Sequence, residues 1–280
     1  MSKSKDVAEK KSTAVGQVQD YGEFSGAGLE GVTADDLIIP FMTLLQALSP
    51  EVEDIDEAKS GMIFNKGTQE LIPGEEGFAF LPVQWEVYYV EWVPRNKGGG
   101  LAGRHERNSD VVKAAQQAAI ERGENPRFTK LYTGEPGESN ELIETHYLMG
   151  FLIDRNEETK SWDINGRAMV GFSSTKIKAC SQLLSTVSQL KGQPPLFVYP
   201  VRIKSFKDSN KHGEFYNFQI VPAIGNAPRD ALLRPQENEA DLDLMRQAHE
   251  FQKGIKSNKY EMGDEATAGG GAPTEEDVPF

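Results

Sequence analysis

The stretch GFAFLPVQWEVYYVEWVPR, residues 77–95, decides the fold class. It is dense in β-branched and aromatic residues, which suit a pleated, half-buried strand. Pro82 brings no N–H to a ladder and therefore marks a break or an edge within the run. The same character recurs on either side. Upstream, GMIFNKGTQELI (61–72) has a turn-forming Asn-Lys-Gly at its centre and predicts a hairpin of Met62–Phe64 with Gln69–Ile72. Downstream, ELIETHYLMGFLID (141–154) and SWDINGRAMVGF (161–172) read as strands. PLFVYPVRIKSFK (195–207) and GEFYNFQIV (213–221) read as two more, joined by an exposed DSNKH turn.

Helices punctuate these strands. SDVVKAAQQAAIERG (109–123) is bracketed by Ser109 as N-cap and Gly123 just past its end. Ser174 opens a second helix with the stripe Ile177, Cys180, Leu184, Val187 and Leu190, ending at Gly192. A third spans about Glu239–Ile255, with Leu244, Ala248, Phe251 and Ile255 on one face. IIPFMTLLQALSP (38–50) places Phe41, Leu44, Leu45 and Leu48 at i, i+3, i+4 and i+7. With Pro40 at a first helical position, it predicts a short amphipathic helix closed by Pro50 and packed on the core. Gly98-Gly99-Gly100 and Thr133–Ser139 read as loops, and no internal repeat is visible. The sum is a β-rich α+β fold. Consecutive strands with turn signals between them favour an antiparallel barrel or sandwich over a parallel sheet, and an OB-type barrel is one member of that set.

Charge is distributed unevenly. The 280 residues hold 30 Lys+Arg and 43 Asp+Glu, a net charge of −13. Residues 1–60 carry −7, residues 61–223 carry 0 and residues 224–280 carry −6. The whole-chain balance argues against a grip on nucleic acid through bulk positive charge. Its partition predicts acidic arms on a neutral body. We therefore expect a flexible arm over 1–33, a core over 34–225, a linker and helix over 226–260, and a disordered acidic tail over 261–280. No apolar run has the length of a bilayer span, and MSKSKDVAEKKS lacks the apolar stretch of a signal peptide. The single cysteine, Cys180, forbids an internal disulfide and fits a reducing cytoplasm.

Catalytic motifs are missing: there is no G-x-S-x-G, no P-loop and no H-E-x-x-H. His105, His146, His212, His249 and Cys180 stand at no metal-ligand spacing. The expectation is a protein that is not an enzyme and takes no metal or cofactor.

Basic and aromatic residues interleave instead. Residues 176–211 hold Lys176, Lys178, Lys191, Arg202, Lys204, Lys207 and Lys211 against Asp208 alone, a local +6. Strand alternation puts Phe197, Tyr199, Val201 and Ile203 on a core face and Arg202, Lys204 and Phe206 on the other. In the next strand Tyr216, Phe218 and Ile220 face the core, leaving Phe215 and Asn217 opposite. Cations that track phosphates beside rings that stack on unpaired bases suit single-stranded nucleic acid. A second basic cluster, Arg95 to Lys130, is a local +4 and follows the aromatic stretch of Trp85, Tyr88, Tyr89 and Trp92.

The C-terminal stretch EMGDEATAGGGAPTEEDVPF (261–280) has six acids, no bases and an apolar Val278-Pro279-Phe280 ending. Such an ending reads as a short peptide ligand: Phe280 fills a pocket, its α-carboxylate meets a basic residue, and the acids steer the approach. EEDVPF is similar to the acidic C-terminal tip of bacterial single-stranded DNA-binding proteins, and phage single-stranded DNA-binding proteins carry comparable tails ending in an aromatic. The body, with IPFMTLLQALSPEV near its start, also resembles DNA-binding proteins of phage replication modules.

The resemblance implies an OB-like barrel elaborated by two or three helices. It implies sequence-independent coating of single-stranded DNA in replication and recombination, in the cytoplasm of an infected bacterial host. Glu275, Glu276, Asp277, Pro279 and Phe280 would recruit a polymerase, exonuclease, helicase or primase. On chemical grounds Lys176, Lys178, Arg202, Lys204, Lys207 and Lys211 would meet phosphates, while Phe206, Phe215, Trp85 and Trp92 would stack on bases. With the groove empty, the tail would fold back on it as a phosphate mimic. A homo-oligomer is a further expected partner. Two rival classes stand beside this reading. One is a single-strand annealing or recombination mediator; the other is a virion or scaffold interaction protein without DNA affinity.

Overall fold

A computed structural model describes residues 37–262 except 128, 211, 212, 258 and 259, together with 27, 28, 30 and 31. The chain divides into two compact units between Thr33 and Ala34. In the first, residues 27, 28, 30 and 31 lie in turns, and the Glu30 carboxylate accepts the Gly28 N–H at 3.0 Å. Everything below concerns the second.

That unit is strand-rich α+β. Its centre is an antiparallel pair of 15-residue strands, β5 (Phe78–Trp92) and β8 (Glu141–Arg155). Pro82 falls where the register shifts between Pro82 and Gln84, a bulge that takes up the missing N–H. Directly opposite, Gly150 has no room for a side chain: a Cβ there would lie 2.1 Å from the Leu81 carbonyl oxygen. On one side β8 pairs with β9 (Trp162–Ser173), and on the other β5 pairs with β10 (Val201–Asn210), which turns back into β11 (Gly213–Pro222). The hairpin β3 (Ile63–Asn65) and β4 (Glu70–Ile72) forms as the Asn-Lys-Gly turn predicts. Asn65 Oδ1 holds that turn by accepting the Gly67 N–H at 2.9 Å. Two short strands, β6 (Leu101–Glu106) and β7 (Leu131–Tyr132), pair with β5 and β8.

The amphipathic helix expected over residues 40–48 does not exist. The segment forms β1 (Ile38–Ile39) and β2 (Phe41–Leu44) instead. Phe41, Met42 and Leu44 are buried alike, so both faces are covered and the 3.6-residue spacing is incidental. β2 lies parallel to β9 and antiparallel to β3, and those ladder bonds outweigh local propensity. Pro50 opens rather than closes a helix: it is the first residue of α1 (Pro50–Asp54), where its missing N–H costs nothing.

The 10-stranded sheet runs β11-β10-β5-β8-β9-β2-β3-β4, with β6 and β7 off this path. It is mixed and open, whereas the sequence reading expects an antiparallel OB-like barrel. β2 occupies the free edge of β9, so no ladder joins β9 to β11. The gap is crossed by loops. The loop after β4 meets β10, where the Ser205 N–H donates to the Gly74 carbonyl at 2.8 Å. Gln46, two residues past β2, bonds the backbone of Tyr216 on β11 at 2.8 and 3.0 Å.

Helices cover this sheet. α2 (Asp110–Glu121) is capped by Ser109, whose Oγ accepts the Val112 N–H at 3.4 Å, and Gly123 follows it at φ +79°. Its Val112, Ala115 and Ala119 form a separate small core with Tyr89, Leu131 and Leu142. α3 (Ile177–Ser188) follows a 3-10 turn over Ser174–Lys176 and packs on β8, β9 and β11. Its buried face is Ala179, Cys180, Leu183 and Val187. Of the expected stripe, Cys180 and Val187 are buried and Leu184 and Leu190 are half-buried against the same core, while Ala179 and Leu183 join the buried face from the neighbouring positions. After the short α4 (Pro228–Ala231), α5 (Glu239–Lys256) places Leu244, Ala248, Phe251 and Ile255 in the main core.

Phe251 stacks on Phe151 of β8 at 5.0 Å and 24°, burial that contributes roughly 1.5–3 kcal/mol. Tyr260 meets Phe251 edge-on at 5.0 Å, and the Arg167 guanidinium lies over both rings, at 5.4 Å from Phe251 and 5.0 Å from Tyr260. Thus α5 is part of the core. The chain then ends its described part in β12 (Glu261–Met262), which lies parallel to β1, so the ladder reaches the first two residues of the stretch read as tail. Among the described residues, no helix is long and apolar enough to cross a membrane.

Candidate nucleic-acid interface

The β10–β11 hairpin sorts its side chains by alternation. Val201, Ile203 and Ser205 are buried; Arg202 and Lys204 are partly exposed; Phe206 is 41% exposed. Across the ladder Arg202 faces Val221, Lys204 faces Gln219 and Phe206 faces Asn217. The outer face therefore carries two cations, an exposed ring and the exposed Gln219 amide. The Arg202 guanidinium donates to the Glu76 carbonyl at 3.3 Å. Lys204 lies over Gly77, where an added Cβ would come within 2.9 Å of Lys204 Cγ and 2.1 Å of the Ile203 carbonyl oxygen. Gly77, at φ +62°, is thus the position that lets β10 approach the start of β5. Gln219 escapes the sequence reading, although the alternation that gives Phe215 and Asn217 continues to it.

The other expected contacts are scattered more widely. Lys207 is exposed and ion-paired with Glu214 at 2.5 Å, which raises its pKa and means a phosphate must displace that carboxylate. Lys178 is exposed on α3, whereas Lys176 is only 9% exposed. Lys211 lies outside the described residues, as do Glu275, Glu276, Asp277, Pro279 and Phe280. Phe215 and Trp92 are each only 6% exposed, Trp92 within the main core, so neither ring offers a free face.

Trp85 is half-buried and held by its edge. Its Nε1 donates to His146 Nδ1 at 3.4 Å, and His146 Nε2 sits 3.0 Å from Glu144 Oε1. Indole nitrogen only donates, so Nδ1 accepts and the Nε2 proton faces the carboxylate. Glu144 also accepts from Tyr89 Oη at 3.1 Å and from Arg107 at 2.5 Å. Bonded first by His146 and then by Arg107, Glu144 is pulled down to about 2. Burial together with that carboxylate pushes the Tyr89 hydroxyl up.

Three cations of the second basic cluster are paired with carboxylates and a fourth with a carbonyl. Arg107 pairs with Glu144, Arg122 with Glu124 at 2.9 Å and Lys130 with Glu141 at 3.7 Å, while Lys97 donates to the Glu138 carbonyl. His105 meets Glu91 at 2.6 Å. Arg104 stands 5.9 Å from the ring of Tyr147, which also packs 6.0 Å from Tyr88 and 6.0 Å from Phe41. Tyr147 is fully buried, and the Tyr88 hydroxyl is pushed up to about 12 by burial and its hydrogen bond to Glu86. Part of the local excess of cations in sequence is thus taken up by carboxylates of the same fold. On β10 no carboxylate interrupts Arg202, Lys204 and Phe206.

No curated protein and no solved structure matches the chain. One family profile, described as Pam3 phage gp34-like protein, matches residues 8–261 and so covers the strand-rich unit up to the first residue of β12. A match of that extent is shared ancestry over most of the chain, and the protein belongs to the Pam3 phage gp34-like family.

Proposed function

We propose that this phage protein binds single-stranded DNA without sequence preference during DNA replication and recombination, and that its acidic C-terminal tip recruits replication proteins. The observation that carries the reading is the outer face of β10–β11, where Arg202, Lys204 and the 41%-exposed Phe206 stand in line on a rigid hairpin. Cations spaced two residues apart on a strand follow a phosphate backbone, and an exposed ring offers a base its π-face.

Strand order supports the same reading. β5, β8, β9, α3, β10 and β11 follow one another as three strands, a helix and two strands, and lie side by side as β11-β10-β5-β8-β9. We read this order as that of an OB-type Greek-key barrel, a fold that is partly open and takes oligonucleotides. β2 and Gln46 stand where the third and fifth strands of such a barrel would meet. Family membership supplies the phage context. The testing experiment is fluorescence anisotropy with a labelled oligonucleotide across a salt series. Binding that weakens steeply with salt and depends on Arg202 and Lys204 supports the reading, and absence of binding at low salt overturns it.

A further inference from the structure

The longest acid-free part of the chain is not confined to β10. Residues 164–207 contain no Asp or Glu and hold Arg167, Lys176, Lys178, Lys191, Arg202, Lys204 and Lys207, in a protein whose net charge is −13. α3 lies in the middle of this stretch. Its inner face is buried, and its outer face carries a continuous stripe of neutral polar groups behind one lysine: Lys178, Ser181, Gln182, Ser185, Thr186 and Gln189 line a shallow recess of about 530 Å³. Those positions recur three and four apart, so they form one ridge along the helix.

Hydroxyl protons on this ridge are already used. Ser185 donates to the Ser181 carbonyl at 2.8 Å and Thr186 to the Gln182 carbonyl at 2.9 Å. The Gln182 and Gln189 amides are exposed to solvent. Lys191 stands exposed just beyond the C-terminal end of α3. A solvated helix face usually mixes acids with bases, whereas this one is cationic at both ends and carboxylate-free between them. α3 also packs on β11, the strand that sets Gln219 opposite Lys204.

We propose that the outer face of α3 is a second contact for the same nucleic-acid strand, so that single-stranded DNA held at Arg202 and Lys204 continues across α3. This rests on the reading of the β10–β11 face as a DNA site. Lys178 and Lys191 meet phosphates at the two ends of the helix, and the Gln182 and Gln189 amides hydrogen-bond sugar and base edges between them. The recess is polar and open, which suits a strand passing over it rather than a small molecule enclosed within it.

The test uses the full chain with oligonucleotides of two lengths, about 8 and about 30 nucleotides, bracketing the span of a single OB-type surface. Gln182→Glu with Lys191→Glu, both at exposed positions, is expected to leave the short oligonucleotide bound as in the wild type. The long one is expected to lose about tenfold in affinity and about 0.7 in salt slope for each phosphate contact removed. Gln182→Ala with Lys191→Ala, which removes the same phosphate contact and adds no negative charge, is expected to show the same length dependence with a smaller loss of affinity. Equal affinity of wild type and both variants for the long oligonucleotide overturns the α3 contact while leaving the β10–β11 site in place. Loss of the short oligonucleotide in the α3 variants also overturns it, because α3 would then belong to the first site. A wild-type chain that binds neither length overturns the DNA reading itself.

Discussion

The side-chain amide of Gln46 pairs with both backbone groups of Tyr216: Nε2 donates to the carbonyl at 2.8 Å, and Oε1 accepts the N–H at 3.0 Å. A glutamine here does what a neighbouring strand would do, satisfying an outward-facing peptide on β11. Nearby, Asn217 Oδ1 accepts the Phe218 N–H at 2.9 Å, and Gly61 leaves room for the Tyr216 ring, which would lie 2.4 Å from a Cβ at that position. Side chains thus complete the edge that strand pairing leaves open, which also blunts it as a template for another strand.

Gln46→Met keeps the volume and removes both bonds. It is expected to destabilise the fold by about 1–3 kcal/mol, the cost of leaving partly buried peptide groups unpaired. Urea unfolding measures the loss, and faster hydrogen exchange at the Tyr216 amide locates it. Unchanged exchange there means that the seam is closed by other contacts.

For the hairpin site, Arg202→Ala with Lys204→Ala is expected to lower the salt slope of oligonucleotide binding by about 1.4, at about 0.7 per phosphate on single strands. Phe206→Ala is expected to cost about 1–3 kcal/mol of binding, the worth of one base–ring stack, with no change in slope. Anisotropy titrations at several salt concentrations separate the two effects. A Phe206→Ala variant that lowers the slope as well would place the ring elsewhere than on a base.

Glu144 predicts a pH dependence. The His146 and Arg107 bonds hold its folded-state pKa at about 2, below the ordinary 4.5. A depressed carboxylate favours the folded state above its unfolded value, and that contribution fades as pH falls from about 4.5 toward 2. Glu144→Gln is therefore expected to flatten the stability profile between pH 5 and 3, measured by urea unfolding at each pH. Parallel profiles for the two proteins would show that other carboxylates govern the acid transition.

Phe251→Ala is expected to cost about 3–5 kcal/mol, because the ring is buried against Phe151, Tyr260 and Arg167. A chain cut before α5 is expected not to fold cooperatively, which thermal unfolding by circular dichroism tests. A cooperative melt from the shortened chain would make α5 an accessory.

Removing residues 263–280, after the β12 ladder, is expected to tighten single-stranded DNA binding severalfold at low salt by releasing a competing acidic tail. If the proposed partner contact is made by the tip, the same deletion is expected to abolish capture of replication proteins in pull-downs made with the intact chain as control. Equal DNA affinity with and without the tail rules out the competition.

Much of the fold is legible in the sequence where one local signal dominates. The Asn-Lys-Gly turn, the Ser109 cap and the Leu244/Ala248/Phe251/Ile255 stripe each act within a few residues, and each element forms where that signal lies. On β10 the alternation also puts Arg202, Lys204 and Phe206 on the solvent side. Residues 38–44 show the limit. Their spacing fits a helix, and only the free edge of β9 makes them a strand.

Burial and pairing are likewise beyond a sequence reading. Trp92 and Phe215 have the chemistry of stacking rings but lie inside, and Arg107 meets its acid, Glu144, 37 residues along the chain. The sequence by itself determined the β-rich composition of the unit, the placing of its caps and turns and the partition of its charge, because these depend on near neighbours. The tertiary structure decided which edge β2 fills, that Gln46 rather than a strand satisfies the outer backbone of Tyr216, and which cations of residues 95–130 meet carboxylates. Those outcomes depend on contacts between residues as distant as Gln46 and Tyr216, whose energies no local pattern records.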